Sequence, residues 1–309
     1  MDVRTLGGSD LGTPRLALGG TVFGWTASGE EAFAILDRFV AAGGTMIDTA
    51  DVYSSWVPGH QGGESETLLG EWLKRRGRRD DVLIATKVGY DAGLSAETIA
   101  AAAEDSLRRL GTQIDLYYAH KDDAGTPLAE TLAAFDRLVK AGKVRWLGAS
   151  NYSAARLAEA LDLSEREGLA RYEVLQPEYN LLVRDRFEGE LQQLCMDRVV
   201  GVLPYFGLAA GFLTGKYRSE QDKAKSVRGS RMDAYMNDRG FRVLADLDEV
   251  AAEAGATPAQ VALAWLAAQP GVTAPIASAT SRAQLDELLG VLTLELSGEQ
   301  LERLTDAGG

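Results

Sequence analysis

Cysteine is nearly absent from this chain. Its single copy, Cys195, excludes an intrachain disulfide framework and a thiolate-rich metal site, and it fits a reducing compartment. Histidine is almost as scarce. Only His60 and His120 occur, at no spacing that pairs an imidazole with a carboxylate, which argues against a transition-metal site. Positive charge is in deficit: 32 Lys and Arg stand against 45 Asp and Glu, a formal net charge of −13. A nucleic-acid backbone and an anionic membrane surface would both be repelled. No apolar run approaches the roughly 18 residues of a spanning helix. The first residues show no basic segment followed by an apolar stretch, so a cytoplasmic protein is expected. Also missing are a G-x-G-x-x-G turn, a G-x-S-x-G elbow and a P-loop. No Pro/Ser-rich linker or charge block divides the 309 residues, so residues 1–309 read as one domain.

What is present is a repeating pattern: a short apolar run, a turn, then a segment of helical period. The runs are Leu16–Leu18, Met46–Asp48, Val82–Thr86, Ile114–Tyr118, Val144–Gly148, Val174–Gln176, Val200–Leu203 and Val272–Ile276. Helices are expected over about 30–42, 64–76, 95–110, 127–141, 153–167, 186–197, 240–268 (in two pieces) and 281–290. Ser95, Thr126-Pro127 and Thr257-Pro258 supply helix starts, and Gly43, Gly77, Gly111, Gly142 and Gly168 supply stops. Eight such units in one domain are the arithmetic of a (β/α)8 TIM barrel. A doubly wound sheet is the alternative, without its usual Gly-rich first turn. Val3–Leu6 and the residues near Arg15 flank a Gly/Ser/Asp turn and predict a short N-terminal hairpin. A long connection, about 207–239, follows strand seven, the length of a lid or binding loop.

In such a barrel the active site lies at the carboxyl ends of the strands. Those ends carry Asp48 (with Tyr53 five residues on), Lys87, His120, Ser150-Asn151, Gln176, Tyr205 and, on strand eight, Ser278 and Thr280. Each alone has a bland reading as a turn former, a solvated charge or a hydrogen-bonded histidine. Together they bring an acid, an amine, an imidazole and a phenol to one mouth. An ammonium beside a phenol favours phenolate, and the buried amine needs the carboxylate partner that Asp48 offers. A tuned phenol aimed at an oxygen suits proton transfer to a carbonyl being reduced, or from an alcohol being oxidised. That chemistry needs a hydride source, which side chains cannot provide. Ser150, Asn151 and Gln176 can hydrogen-bond a carboxamide, Tyr205 can stack on a flat ring, and Lys216 can meet a pyrophosphate. His60, in a Gly-rich loop, reads as structural, with the substrate entrance as the other possibility.

These residues resemble the aldo-keto reductase superfamily over nearly the whole chain. The most specific stretch is Gly43-Gly44-Thr45-Met46-Ile47-Asp48-Thr49-Ala50-Asp51-Val52-Tyr53. Ala85-Thr86-Lys87, Asp115 through His120, Gly142 through Tyr152, Leu175 through Asn180 and Gly211 through Tyr217 follow in the family's order. The resemblance implies Tyr53 as general acid, tuned by Lys87 and Asp48, with His120 orienting the carbonyl. It implies a nicotinamide cofactor held by Gly20, Thr21, Asp48, Ser150, Asn151, Gln176, Tyr205, Phe206, Leu208, Gly211, Leu213 and Lys216. At the adenine end it implies Ser278, Thr280, Arg282, Gln284 and Glu287, and NADP(H) ahead of NAD(H).

Two departures stand out. Leu288 replaces the family's adenine-binding asparagine, and the basic residue facing the 2′-phosphate is displaced, with Arg282 as its substitute. Phe206-Gly207 stands where Ser-Pro or Tyr-Ser is common. Substrate-wall candidates are Phe23, Trp25, Trp56, Tyr90 and Lys121, with Met232, Tyr235 and Met236 from the long loop; Trp25 and Trp56 read equally as loop packing. Two other functions stay open: a cofactor-binding regulatory subunit with little turnover, and a lyase using Lys87 as a Schiff-base amine.

Overall fold

A computed structural model describes residues 2–225 and 229–309. It opens on the expected hairpin, β1 (Val3–Thr5) antiparallel to β2 (Gly12–Pro14). Eight parallel strands follow: β3 (Ala17–Gly19), β4 (Met46–Asp48), β5 (Leu83–Val88), β6 (Ile114–Ala119), β7 (Val144–Ser150), β8 (Tyr172–Gln176), β9 (Gly201–Val202) and β10 (Ile276–Ala277). They pair in chain order, and β10 pairs β3. A bridge between Val202 and Val272 closes the ring on the other side, so the fold is a (β/α)8 barrel.

Strand eight departs from the expected continuous run. Pro275 has no N–H to give, so Val272 and β10 are separate contacts, and the Pro275 carbonyl accepts instead from Ala17 at 2.9 Å.

The helices alternate with the strands: α1 (Gly29–Ala41), α2 (Glu64–Arg76), α3 (Ala96–Leu110), α4 (Leu128–Lys140), α5 (Ala154–Glu167), α6 (Glu190–Asp197), α7 (Asp238–Ala254), α8 (Pro258–Ala267) and α9 (Arg282–Leu288). Ser95 caps α3 through Thr98, and Thr257 with Gln260 forms a capping box on α8. A tenth helix, α10 (Gly298–Ala307), was not expected, though the Ser297/Gln300 capping box announces it. The 207–239 connection is not featureless. It contains short 3-10 turns at Ala209–Thr214, Glu220–Lys225 and Gly229–Ala234, while residues 226–228 lie outside the described residues. Among the described residues no helix is long and apolar enough to cross a membrane.

The apolar residues form two shells. Ala17, Met46, Ala85, Leu116, Tyr118, Val174, Leu203 and Ile276 fill the barrel, plugged below by Leu6 and Leu11 of the hairpin. Ile47, Ile84, Tyr117, Leu147 and Leu175 face outward against the helices. Side chains alternate along a strand. Met46 in the interior therefore sets Asp48 inward, Ala85 sets Lys87, and Leu116 and Tyr118 set His120. The same parity carries Gly148 to Ser150 and Val174 to Gln176. Gly148 is required because a Cβ there would meet the Tyr118 ring at 2.4 Å.

Candidate active site

The inward polar residues meet at the upper mouth. Lys87 is wholly buried and Asp48 is 2% exposed. The Lys87 ammonium uses all three donors: Asp48 Oδ2 at 2.7 Å, the Thr49 carbonyl at 2.7 Å and the Tyr53 phenol oxygen at 2.9 Å. Tyr53 donates weakly to Asp48 Oδ2 at 3.4 Å, and Gln176 Nε2 donates to Asp48 Oδ1 at 2.9 Å. Tyr53 and His120 stand edge to face with ring centres 6.1 Å apart.

Burial pulls the Lys87 pKa down, against the opposing pull of Asp48. Burial also pushes the Tyr53 phenol well above its ordinary value, and the Asp48 charge adds to this. The sequence expectation is a phenol lowered by the ammonium; the direction found is upward, with desolvation as its leading cause. The resting phenol is neutral and holds a proton to give. His120 is pushed down to about 2, first by burial, then by Lys87 and Lys121. It is a neutral imidazole, and its buried Nδ1 has no hydrogen-bond partner.

Beside this centre lies a shelf of amides and hydroxyls. Ser150 Oγ donates to the Gln176 carbonyl at 2.8 Å; Asn151 Nδ2 donates to the His120 carbonyl at 3.0 Å; Tyr205 donates to Asn151 Oδ1 at 2.8 Å. Tyr205 is half-buried, its phenol raised to about 12 by burial. Gly20 closes the first turn: its N–H donates to the Asp48 carbonyl at 2.6 Å, and a Cβ would stand 2.8 Å from that oxygen. Thr21 is half-buried beside it.

Past strand seven the backbone is left-handed at Phe206 (φ 56), Ala209 (φ 47), Ala210 (φ 55) and Gly211 (φ 102). The Lys216 amine lies over this turn, 3.6 Å from where a Cβ at Gly211 would project. Left-handed backbone beneath a cation has the chemistry of an anion cradle. The amides and hydroxyls of this shelf, with the cradle beyond it, are groups of the kind that a nicotinamide dinucleotide would need.

The adenine-end residues sit at the start of α9. Thr280 donates to Gln284 Oε1 through both its N–H and its hydroxyl, each at 2.9 Å. Arg282 is exposed and only 3.8 Å from Asp286, while its backbone N–H is taken by Glu31 Oε1 at 3.0 Å. Ser278 is half-buried. Glu287 is exposed and offers its carbonyl to Gln260, and Leu288 is in the core.

On the substrate side Trp25, Trp56, Tyr90 and Lys121 gather near Tyr53 and His120. Trp25 and Trp56 meet edge to face at 5.6 Å, Trp56 lies 6.3 Å from Tyr53, and Tyr90 lies 4.8 Å from His120. Phe23, Leu213 and Met232 have no exposed surface and pack in the core. Their side chains are not on the mouth wall. Leu208 is half-buried, Tyr235 stacks on Phe212 at 5.9 Å and Met236 packs beside it against the core. His60 is half-buried in its loop with Nδ1 unpartnered. Sequence reasoning missed Asp51, whose Oδ1 is buried without a partner and whose pKa rises to about 7 through burial and the nearby Glu66. It also missed Glu66, wholly buried and gripped by Arg109 at 2.6 Å. Asp51 stood in the motif already quoted; its environment was what could not be read.

A family model described as "Aldo/keto reductase family" matches residues 15–308. The chain belongs to the aldo/keto reductase family. It is therefore a nicotinamide-dependent oxidoreductase by membership. Among curated relatives, a "Probable voltage-gated potassium channel subunit beta" of Arabidopsis thaliana is 33% identical over 305 residues, covering 93% of this chain and 90% of its own length. An "L-glyceraldehyde 3-phosphate reductase" of Escherichia coli is 32% identical over 322 residues, covering 98% and 91%. An NADP(+)-named aldo-keto reductase of Schizosaccharomyces pombe is 31% identical over 301 residues, covering 91% and 83%.

Proposed function

We propose that this aldo/keto reductase reduces an aldehyde or ketone, or oxidises the corresponding alcohol or sugar, with Tyr53 as general acid and base. One observation carries the reading: a half-buried, neutral phenol is held by a buried ammonium beside a neutral imidazole, all at one mouth. A nicotinamide cofactor, when bound, supplies or accepts the hydride. Ser150, Asn151 and Gln176 would hold its carboxamide, Tyr205 its ring, and the Leu208–Gly211 backbone with Lys216 its pyrophosphate. In reduction Tyr53 gives its proton to the carbonyl oxygen, and Lys87 holds the phenolate that remains, with Asp48 balancing Lys87. His120, having no charge, orients the carbonyl by hydrogen bond. Trp56, Trp25 and Tyr90 narrow the entrance and keep water from the reacting oxygen.

NADP(H) is the favoured cofactor. The exposed Arg282 guanidinium supports it, as does the NADP(+)-named relative. A small-molecule substrate is the expected partner.

The names of the channel-subunit relatives favour the second reading, a regulatory subunit with little turnover. The complete Asp48–Tyr53–Lys87–His120 set favours turnover. Titration with NADPH and then NADH, read by tryptophan quenching and followed by aldehydes, ketones and sugars, separates the two. Tight NADPH binding with cofactor oxidation supports the proposal. Binding without turnover across the panel supports the regulatory reading, and no binding of either cofactor overturns both.

A further inference from the structure

One wall of the mouth is aromatic and ends in a cation. Tyr90 lies 4.8 Å from the His120 ring, and the Lys121 ammonium sits 4.8 Å from the centre of the Tyr90 ring. The placement follows from topology. Tyr90 leaves the end of β5 and Lys121 leaves the end of β6, and these strands are neighbours in register. Lys121 is also close enough to His120 to disfavour its charged form.

Among the described residues no carboxylate comes within ion-pairing distance of Lys121. The acids beside it in sequence are committed elsewhere. Asp122 pairs with Arg156 at 2.8 Å, and Asp123 accepts the Leu94 and Gly125 N–H groups at 2.8 and 2.9 Å. Arg186, another cation near the rim, is already paired with Glu178 at 2.6 Å. In a chain of net charge −13, Lys121 is thus a local positive point with no carboxylate paired to it among the described residues, beside the His120 and Tyr90 rings. Lys216, on the cofactor side, is its counterpart.

We infer that Lys121, with Tyr90 as its platform, selects carbonyl substrates that carry an anionic group, a carboxylate or a phosphate, a few bonds from the reacting carbon. The inference rests on the reading of Tyr53 and His120 as the carbonyl site. The Tyr90 face takes the carbon skeleton and leads it from the imidazole to the ammonium. Lys121 is exposed and Tyr90 is 45% exposed, so the ion pair forms at the rim and weakens as salt rises. It acts on ground state and transition state alike, so its effect falls mainly on KM.

The test uses three aldehydes on one ring: methyl 4-formylbenzoate, 4-formylbenzoate and 4-formylphenyl phosphate. Each is assayed with NADPH and titrated by Trp25/Trp56 quenching, on the wild type and on Lys121→Met, Lys121→Glu and Lys121→Arg. The wild type is expected to favour at least one anion over the ester by about tenfold in kcat/KM, mostly through KM, with the gap shrinking as salt rises. The anion that gains identifies the source. Lys121→Met should bring the ratio near one, Lys121→Glu should invert it and Lys121→Arg should restore it. Equal kcat/KM for ester and both anions in the wild type, or a ratio that survives Lys121→Met, overturns the inference. Failure of the reductase reading looks different: no aldehyde oxidises the cofactor, while quenching by the anionic rings still depends on Lys121. Neither turnover nor Lys121-dependent quenching would overturn both.

Discussion

At the floor of the barrel Asp115 is gripped by Arg79 and, at 2.7 Å, by Arg145. Arg145 reaches on to Asp10 at 2.9 Å, and Trp146 donates to the same Asp10 at 2.7 Å. Leu6 and Leu11 seal the apolar interior just above. At the mouth, the other end of the same strands, Lys121 and Lys216 have no carboxylate partner among the described residues, nor does His120 Nδ1 have a hydrogen-bond partner there. Left-handed backbone without glycine also gathers there, at Ser54, Asn151, Phe206, Ala209 and Ala210; Val199, at the floor, is the exception. Each such residue costs about 1–3 kcal/mol, tolerated where function over-determines the geometry. The difference teaches that the floor pairs its own charges, whereas the mouth leaves polar groups without a partner among the described residues, which is where we propose that substrate and cofactor bind.

The comparison can be pushed hardest at Lys87. Lys87→Met should lower kcat by about 10²–10⁴-fold. Leaving Asp48 buried and unpaired should also cost about 3–5 kcal/mol of stability, measured by urea unfolding. Leu11→Ala at the floor should cost about 2–5 kcal/mol in the same assay and leave kcat of the folded fraction unchanged. A large kcat loss in Leu11→Ala would break the division between the two ends.

Asp51 sharpens it further. Its folded pKa of about 7 lies above the ordinary 3.8, so the folded protein holds a proton that the unfolded chain releases between those values. Its destabilisation is complete above pH 7 and fades as the pH falls toward 4. Asp51→Asn should therefore raise Tm at pH 8 and change it little near pH 4.5. The smallest effect is at Phe206. Phe206→Gly relieves a φ of 56° but loses a ring contact with Tyr205 at 5.1 Å. It should stabilise by no more than about 1 kcal/mol and weaken NADPH binding, read by scanning calorimetry and quenching.

Much of this was legible in the residues. Buried parallel strands announce themselves as apolar runs, and caps such as Ser95 and Thr257 mark their helices without help from tertiary contacts. The mouth was legible too, because strand ends converge once the barrel is assumed. What the residues withheld was environment. Nothing in the types of Phe23, Leu213 and Met232 says that they face the core. The upward shift of Tyr53 depends on desolvation, which exists only in the folded site. Glu31 of α1 reaches the Arg282 N–H of α9 where the first and last units of the ring meet, a contact between residues so far apart in sequence that no local pattern encodes it.

The central claim is our proposal that Tyr53 supplies the proton to a carbonyl bound at the mouth. It is tested most directly by Tyr53→Phe, with NADPH binding and aldehyde-dependent NADPH oxidation measured on the same samples. The account predicts that the variant keeps the wild-type Tm and binds NADPH within about twofold, while kcat falls by about 10²–10⁴-fold. A variant that turns over like the wild type would contradict it.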